Sequence, residues 1–311
     1  MTECIETITA SKIEPKEALG YFLKPRDPEA DKFANGRVLV IAGSSGMTGA
    51  AVLCARGAMR SGAGLVYSAL PAECMRSVEP VLLEAVKCPV GRSGKTHFDG
   101  ADVIRMIELS AGMDAVVIGP GLGREDGTKE FVRTLLSNRE FAPDAGALII
   151  DADGLYPYSG DPGALEKAAR VRPGKIVITP HEGEASRLLG ICREHIGASR
   201  EKSALKLASL LNGGTAVLKG HRTLVATRNE LSVNVTGNPG MGTGGSGDVL
   251  AGIIAGMTAG HGKDCQQLKN IVEFAVAVHG CAGDVMAEKH SQRFITASDI
   301  ITGLGELTEY A

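Results

Sequence analysis

RVLVIAGSSGMTGAAVLCARGAMRSGAGLVYSAL, residues 37–70, is where the fold class can be read. RVLVIAG (37–43) is a short β-branched run closed by glycine, which marks a buried strand. GAAVLCARGAMRSG (49–62) then places small and apolar residues at helical spacing and stops at Gly62. GLVYSAL (64–70) predicts the next strand. Strand, helix and strand in this order form the crossover unit of a parallel sheet.

The alternation continues along the chain. DAVVIGPG (114–121) and ALIIDAD (147–153) predict strands, with a helix over roughly 126–139 between them. KIVITP (175–180) and TAVLKG (215–220) predict two more, separated by helices near 182–190 and 197–212. RTLVAT (222–227) and ELSVNVTG (230–237) flank a polar Arg-Asn and predict an antiparallel hairpin at one edge. From residue 245 the pattern is helical: SGDVLAGIIAGMTAG, then 264–289, then a last helix from Ser298. The expectation is one α/β domain with a mainly parallel sheet, helices on both faces and a small antiparallel edge. Residues 1–35 are polar and acidic and read as an N-terminal extension with room for one short helix, so the domain proper spans 36–311.

Composition narrows the function classes. The net charge of −3, with both signs interspersed, gives no footprint for nucleic acid. The acidic N-terminus has no apolar core of a signal peptide, and no apolar run is long enough to span a bilayer. Seven scattered cysteines without a C-x-x-C pair fit a reducing cytoplasm better than a disulfide framework. The 41 glycines predict many tight turns or close approaches to a ligand.

In such sheets ligands sit outside the carboxyl ends of the strands, and here those ends are rich in glycine and polar residues. TGNPGMGTGGSGDVLAGIIAGMTAG (236–260) is the strongest signal. Its glycines precede an apolar helix whose first turn carries Asp248, so unhindered N–H groups and the helix dipole could hold an anion. Asp248 also reads as a plain helix-start acid. The segment is not a Walker A motif, because no Lys-Ser/Thr follows the glycines. In KIVITPHEGEASRLLG, His181 and Glu184 stand three apart at a strand-to-helix junction. They suit either a water-mediated Mg²⁺ and phosphate site or a capping box. DADGL (151–155) offers two acids for a metal or a turn, KGHRT (219–223) two cations and a hydroxyl for phosphate or ribose, and GPGLG (119–123) bare backbone.

These segments occur in the same order in the NAD(P)H-hydrate dehydratase domain of the ribokinase-like superfamily, which the chain resembles over about residues 36 to 306. The resemblance implies a repair reaction that returns (6S)-NADHX or NADPHX to NADH or NADPH. Phosphate from ADP, or from ATP in some members, turns a poor hydroxide leaving group into a good one. Carried over by motif, Asp248 resembles the catalytic acid that takes the hydroxyl proton, and the N–H groups of Gly245, Ser246 and Gly247 resemble the anion hole. Lys219, Gly220, His221, Arg222, Thr223 and Gly247 match nucleotide-binding positions. Ala50, Gly121, Gly123, His181 and Asp248 match substrate-binding positions, and Glu184 resembles the acid that organises Mg²⁺ through water.

Members of the family are often fused to an epimerase domain. The short N-terminal segment implies a stand-alone dehydratase, and the family resemblance a cytoplasmic homotetramer. The alternative is a ribokinase-like kinase of a vitamin-precursor alcohol of hydroxymethylpyrimidine, thiazole or pyridoxal type. A nucleotide-sensing module is disfavoured by the acid at 248. An NAD-dependent redox enzyme is disfavoured because G-x-G-x-x-G does not follow the first strand. A helix start lowers the pKa of Asp248 and nearby phosphates raise it, a balance that the sequence leaves open.

Overall fold

The two-residue side-chain period divides each central strand between two cores. In Arg37–Ile41, Val38 and Val40 enter one core while Leu39 and Ile41 enter the other. The same division holds at Ala115 and Val117 against Val116 and Ile118, and at Ala147 and Ile149 against Leu148 and Ile150. That is why these segments read as continuous apolar runs: both faces are covered.

The computed structural model describes residues 8–260 and 265–309. Its strands are β1 (Ser11–Lys12), β2 (Arg37–Ile41), β3 (Leu65–Pro71), β4 (Val86–Val90) and β5 (Ala115–Ile118). They continue as β6 (Ala147–Ile150), β7 (Ile176–Ile178), β8 (Thr215–Leu218), β9 (Leu224–Ala226) and β10 (Leu231–Val233). All lie in one sheet ordered β1-β10-β9-β8-β7-β6-β5-β2-β3-β4. Strands β2 to β8 are mutually parallel, and β9 is antiparallel to both β8 and β10.

Helices α1 (Pro15–Phe22), α2 (Thr48–Arg60) and α3 (Ala72–Val78) pack on one face. Helices α4 (Val103–Ser110), α5 (Asp126–Ser137), α6 (Pro162–Arg170), α7 (Glu182–Leu189), α8 (Arg193–Ala198) and α9 (Arg200–Ser209) cover the other. The chain then returns to the first face with α10 (Ser246–Ala259), α11 (Cys265–His290) and α12 (Ala297–Glu306).

Three details add to the sequence expectations. The hairpin β9–β10 is antiparallel as expected, but β1 pairs parallel to β10 and takes the outermost place. Part of the 1–35 stretch is thus woven into the sheet, and Ile13, Ala18 and Leu19 are buried in the first core. The helix expected over 197–212 is α9, and a short separate helix, α8, precedes it, the two divided at Ser199 with φ −141 and ψ 52. The expected start at 264 of the next helix lies outside the described residues.

Helix α10 is buried almost all round, packing on β2, β5 and β6 and against α2, α11 and α12. Such an enclosed helix needs small residues where neighbours cross. A Cβ at Gly57 would lie 2.6 Å from the Val249 carbonyl oxygen, and one at Gly252 would fall on the Cys54 carbonyl. This fit fixes the start of α10 over the carboxyl ends of the parallel strands.

Candidate active site

Successive parallel strands deliver polar groups to the same edge of the sheet. β6 leads to Asp151, β7 to Thr179 and His181, and β8 to Lys219. His181 and Lys219 pair as an isolated parallel bridge that prolongs β7 and β8. Lys219 donates from Nζ to Asp151 Oδ1 at 2.7 Å, and the Thr179 hydroxyl donates to the same oxygen at 2.6 Å. Asp151 is 1% exposed, and its Oδ2 has no hydrogen-bond partner among the described residues. Burial opposes the charge on Lys219, yet Asp151, Glu184 and Asp248 hold its pKa above the ordinary lysine value.

Above this row stands the N-terminus of α10. Gly245 caps it at φ +89, a conformation side chains disfavour, and a Cβ there would run into Leu53 of α2. Among the described residues no side chain caps the helix, so its first N–H groups are available to a ligand. The Lys219 ammonium lies against Gly247, 3.0 Å from where a Cβ would sit. A cation and a helix N-terminus therefore converge on one point, the arrangement that holds a phosphoryl group.

Asp248, in the first turn of α10, has its carboxyl raised from 3.8 to about 7. Burial is the main cause. The charge of Asp151 adds to it and Lys219 opposes it. Burial, which is neither the helix start nor a phosphate, thus decides the direction, and a carboxyl poised near neutrality is suited to taking a proton.

His181 and Glu184 form the capping box of α7. The imidazole Nδ1 accepts from the N–H of Gly183 at 2.9 Å and of Glu184 at 3.4 Å, while Glu184 Oε2 accepts the His181 N–H at 2.8 Å. Burial, with Lys219 and Arg187 nearby, pushes the His181 pKa down against the pull of Glu184. The neutral ring then carries its proton on Nε2.

A cleft of about 1040 Å³ joins these groups. It is lined by Asp151, His181, Glu184, Lys219 to Thr223 and Gly245 to Asp248, so most of the expected site residues meet in one place. Ala50, Gly121 and Gly123 do not line that cleft. They form an adjoining group at the ends of β2 and β5, where a Cβ on Gly121 would lie 2.9 Å from Ala50 Cβ. Ala50 is one helical turn before Leu53, which touches Gly245, so the two groups abut across the start of α10. Asp153 ties down the GPGLG loop, accepting from the Gly123 N–H at 3.1 Å and from Arg124 Nε at 2.8 Å.

Two residues that support the cleft were not singled out from the sequence. Asp284 of α11 accepts from the Gly237 N–H and from Asn238 Nδ2, both at 2.8 Å, and so holds the loop that leads into the glycines. His279, also on α11, donates from Nε2 to the Ser246 carbonyl at 3.1 Å, and burial lowers its pKa to about 4. Their signal was a pair of polar residues in the otherwise small and apolar stretch FAVAVHGCAGDVM. Two left-handed non-glycine residues, Ala152 (φ 48) and Arg222 (φ 53), also line the cleft.

The sheet order and the cleft at its carboxyl edge define a ribokinase-like α/β protein. A ribokinase-like superfamily protein from Enterococcus faecalis superposes with a TM-score of 0.75 at 25% identity, covering 97% of this chain and 96% of that one. More particularly, the family model described as NAD(P)H-hydrate dehydratase matches residues 38–304, and the chain belongs to that family. The ADP/ATP-dependent NAD(P)H-hydrate dehydratase of Bacillus subtilis, co-crystallized with ATP/Mg²⁺, aligns with a TM-score of 0.78 at 28% identity over 97% of this chain and 99% of that one. The bifunctional NAD(P)H-hydrate repair enzyme Nnr of Moorella thermoacetica is 37% identical over 287 residues, 90% of this chain and 50% of that protein. The chain thus spans about half the length of the curated relatives it matches. Among the described residues no helix is long and apolar enough to cross a membrane.

Proposed function

We propose that this chain dehydrates (6S)-NADHX and NADPHX to NADH and NADPH at the expense of ADP, releasing AMP and phosphate, with ATP as the other candidate donor. The observation that carries this reading is the Asp248 carboxyl, ionising near neutrality beside Lys219 and the uncapped start of α10. Family membership favours it over the phosphorylation of a vitamin-precursor alcohol.

Lys219 to Thr223 hold the nucleotide, while Ala50, Gly121, Gly123 and His181 receive the hydrated dinucleotide. Asp248 takes the proton of the C6 hydroxyl as its oxygen attacks the terminal phosphorus, and AMP departs. The N–H groups of Gly245, Ser246 and Gly247 take up the charge on the transferred group, with Lys219 beside them. The ring-nitrogen lone pair then expels phosphate from C6, and loss of a proton from C5 restores the double bond. Binding positions the two reactants, and the desolvated cleft keeps Asp248 basic.

Magnesium fits as an ion brought by the nucleotide phosphates, where it would neutralise phosphoryl charge. No three His, Cys, Asp or Glu side chains among the described residues form a ready cage. Asp151 Oδ2 is an unused acceptor at the site, and Glu184, engaged with His181, would reach the ion through water.

We further read residues 36–311 as one dehydratase unit to which part of the N-terminal segment adds an edge strand and a helix. We place the protein in the cytoplasm, in keeping with the free Cys54, Cys74, Cys88, Cys192 and Cys281, and expect a homotetramer. The deciding experiment supplies NADHX with ADP or ATP and Mg²⁺ and follows recovery of NADH absorbance. Recovery with one donor supports the reading and identifies the phosphate source. No recovery with either, or a stable phosphate ester formed from a vitamin precursor, defeats it.

A further inference from the structure

We propose that Arg124 anchors a phosphate group of the dinucleotide substrate at the GPGLG loop. The inference rests on the dehydratase reading and extends it to a residue outside the cleft described above. Arg124 follows Gly123 at the carboxyl end of β5, next to the Ala50 and Gly121 contact that is assigned to the substrate.

Its guanidinium is held on two sides. Nε donates to Asp153 Oδ1 at 2.8 Å, and the plane lies over the Tyr156 ring, 4.7 Å from its centroid. The Asp153 side chain is only 10% exposed, whereas that of Arg124 is 54% exposed. Asp153 also accepts the Gly123 N–H, so one buried carboxylate fixes both the loop and the arginine. What remains is the outer pair of Nη groups. They have no acceptor among the described residues, and they form a planar fork that matches phosphate oxygens. Holding a long side chain in place beforehand lowers the entropy lost on binding.

The position is consistent with the rest of the site. Asp153 and Glu184 both act electrostatically on Arg124 and on Asp248, so the guanidinium and the reacting centre share acidic neighbours. The start of α10 and Lys219 are committed to the transferred phosphoryl group, so the substrate's own phosphates need other donors. Lys95, near the SSG loop through the Ser45 to Thr96 backbone bond, is already paired with Asp99 at 2.7 Å and Asp102 at 2.8 Å. Arg124 has its outward donors free. A surface ion pair that merely ties down a loop is the competing role, and it would leave substrate affinity untouched.

The phosphate contacted is either the bridging pyrophosphate, present in both substrates, or the 2′-phosphate of NADPHX alone. The test compares wild type, Arg124→Gln and Arg124→Lys with NADHX and with NADPHX, measuring KM for substrate and for ADP, kcat, and thermal unfolding. Loss of a charge-assisted hydrogen bond should raise the substrate KM of Arg124→Gln on the order of ten-fold or more, with Arg124→Lys in between. The ADP KM and the unfolding temperature should stay close to wild type. An equal rise for both substrates assigns the pyrophosphate, and a rise confined to NADPHX assigns the 2′-phosphate. An unchanged substrate KM in Arg124→Gln, with a wild type that does turn over NADHX, overturns the proposal and leaves the dehydratase reading intact, as does a rise shared equally with ADP. If wild type recovers no NADH from NADHX, the dehydratase reading falls and the proposal falls with it.

Discussion

Replacing Asp248 by Asn should make the protein more stable while destroying its activity, and the gain should depend on pH. The folded protein holds this carboxyl near 7 instead of 3.8, mainly because it is buried and secondarily because Asp151 is close. Each pKa unit is about 1.4 kcal/mol, so ionised Asp248 costs the folded state roughly 4 kcal/mol, an upper value because solvent reaches part of the residue. The unfolded chain loses this proton near 3.8, the folded chain only near 7, so between those values the folded state binds more protons. Stability from this group therefore falls as pH rises from about 4 to about 7 and is level above that.

The asparagine side chain carries no charge at any of these values. The stability difference between Asp248→Asn and wild type should thus be small near pH 4, grow through the interval and reach roughly 2–4 kcal/mol above pH 7. Urea unfolding of both proteins at several pH values, with linear extrapolation to water, measures it directly. A difference that is constant with pH, or an asparagine variant less stable than wild type at pH 8, would refute the placement of Asp248 as a buried, destabilised carboxylate.

The same group sets the acid limb of the rate. As the base, Asp248 must be ionised, so kcat/KM should fall about ten-fold per pH unit below its inflection near 7. Asp151→Asn should move that inflection to lower pH, because it removes a neighbouring negative charge and frees Lys219 from its partner. Lys219→Met should cost about 3–5 kcal/mol by leaving Asp151 buried without its cation, and adding Asp151→Asn should restore most of the stability but none of the activity. Denaturant midpoints and turnover of the two variants test that contrast. Gly252→Ala should destabilise by about 1–3 kcal/mol and slow turnover, because the new methyl meets the Cys54 carbonyl and pushes α10 from α2. An alanine variant as stable and active as wild type would show that the start of α10 does not depend on that contact.

Much of this frame was legible in the sequence because both sheet faces are buried. Runs such as VLVI, AVVI and ALII have no polar alternation to hide them, and each closes on glycine or an acid. Less legible was VKCPV at β4, where Lys87 and Pro89 interrupt the apolar pattern and pairing with β3 alone makes the strand. The pairing of Ser11–Lys12 with β10 was equally hidden, since two exposed polar residues carry no strand pattern and the partner is 221 positions away.

At the site, residue types alone were enough to mark the local backbones that could receive a ligand. The glycines before Asp248, the TPHEGE turn and the KGHRT turn follow from residue types, because missing Cβ atoms, caps and fixed cations act over a few positions. What those groups do to one another depends on how the folded chain brings them together. Lys219 meets Asp151 across 68 positions, and His279 meets Ser246 across 33, through strand order and helix packing that no local pattern encodes. The near-neutral pKa of Asp248 belongs to that second kind. Burial at the start of α10 and the charge of Asp151 set it, and both arise only when the sheet brings its strand ends together.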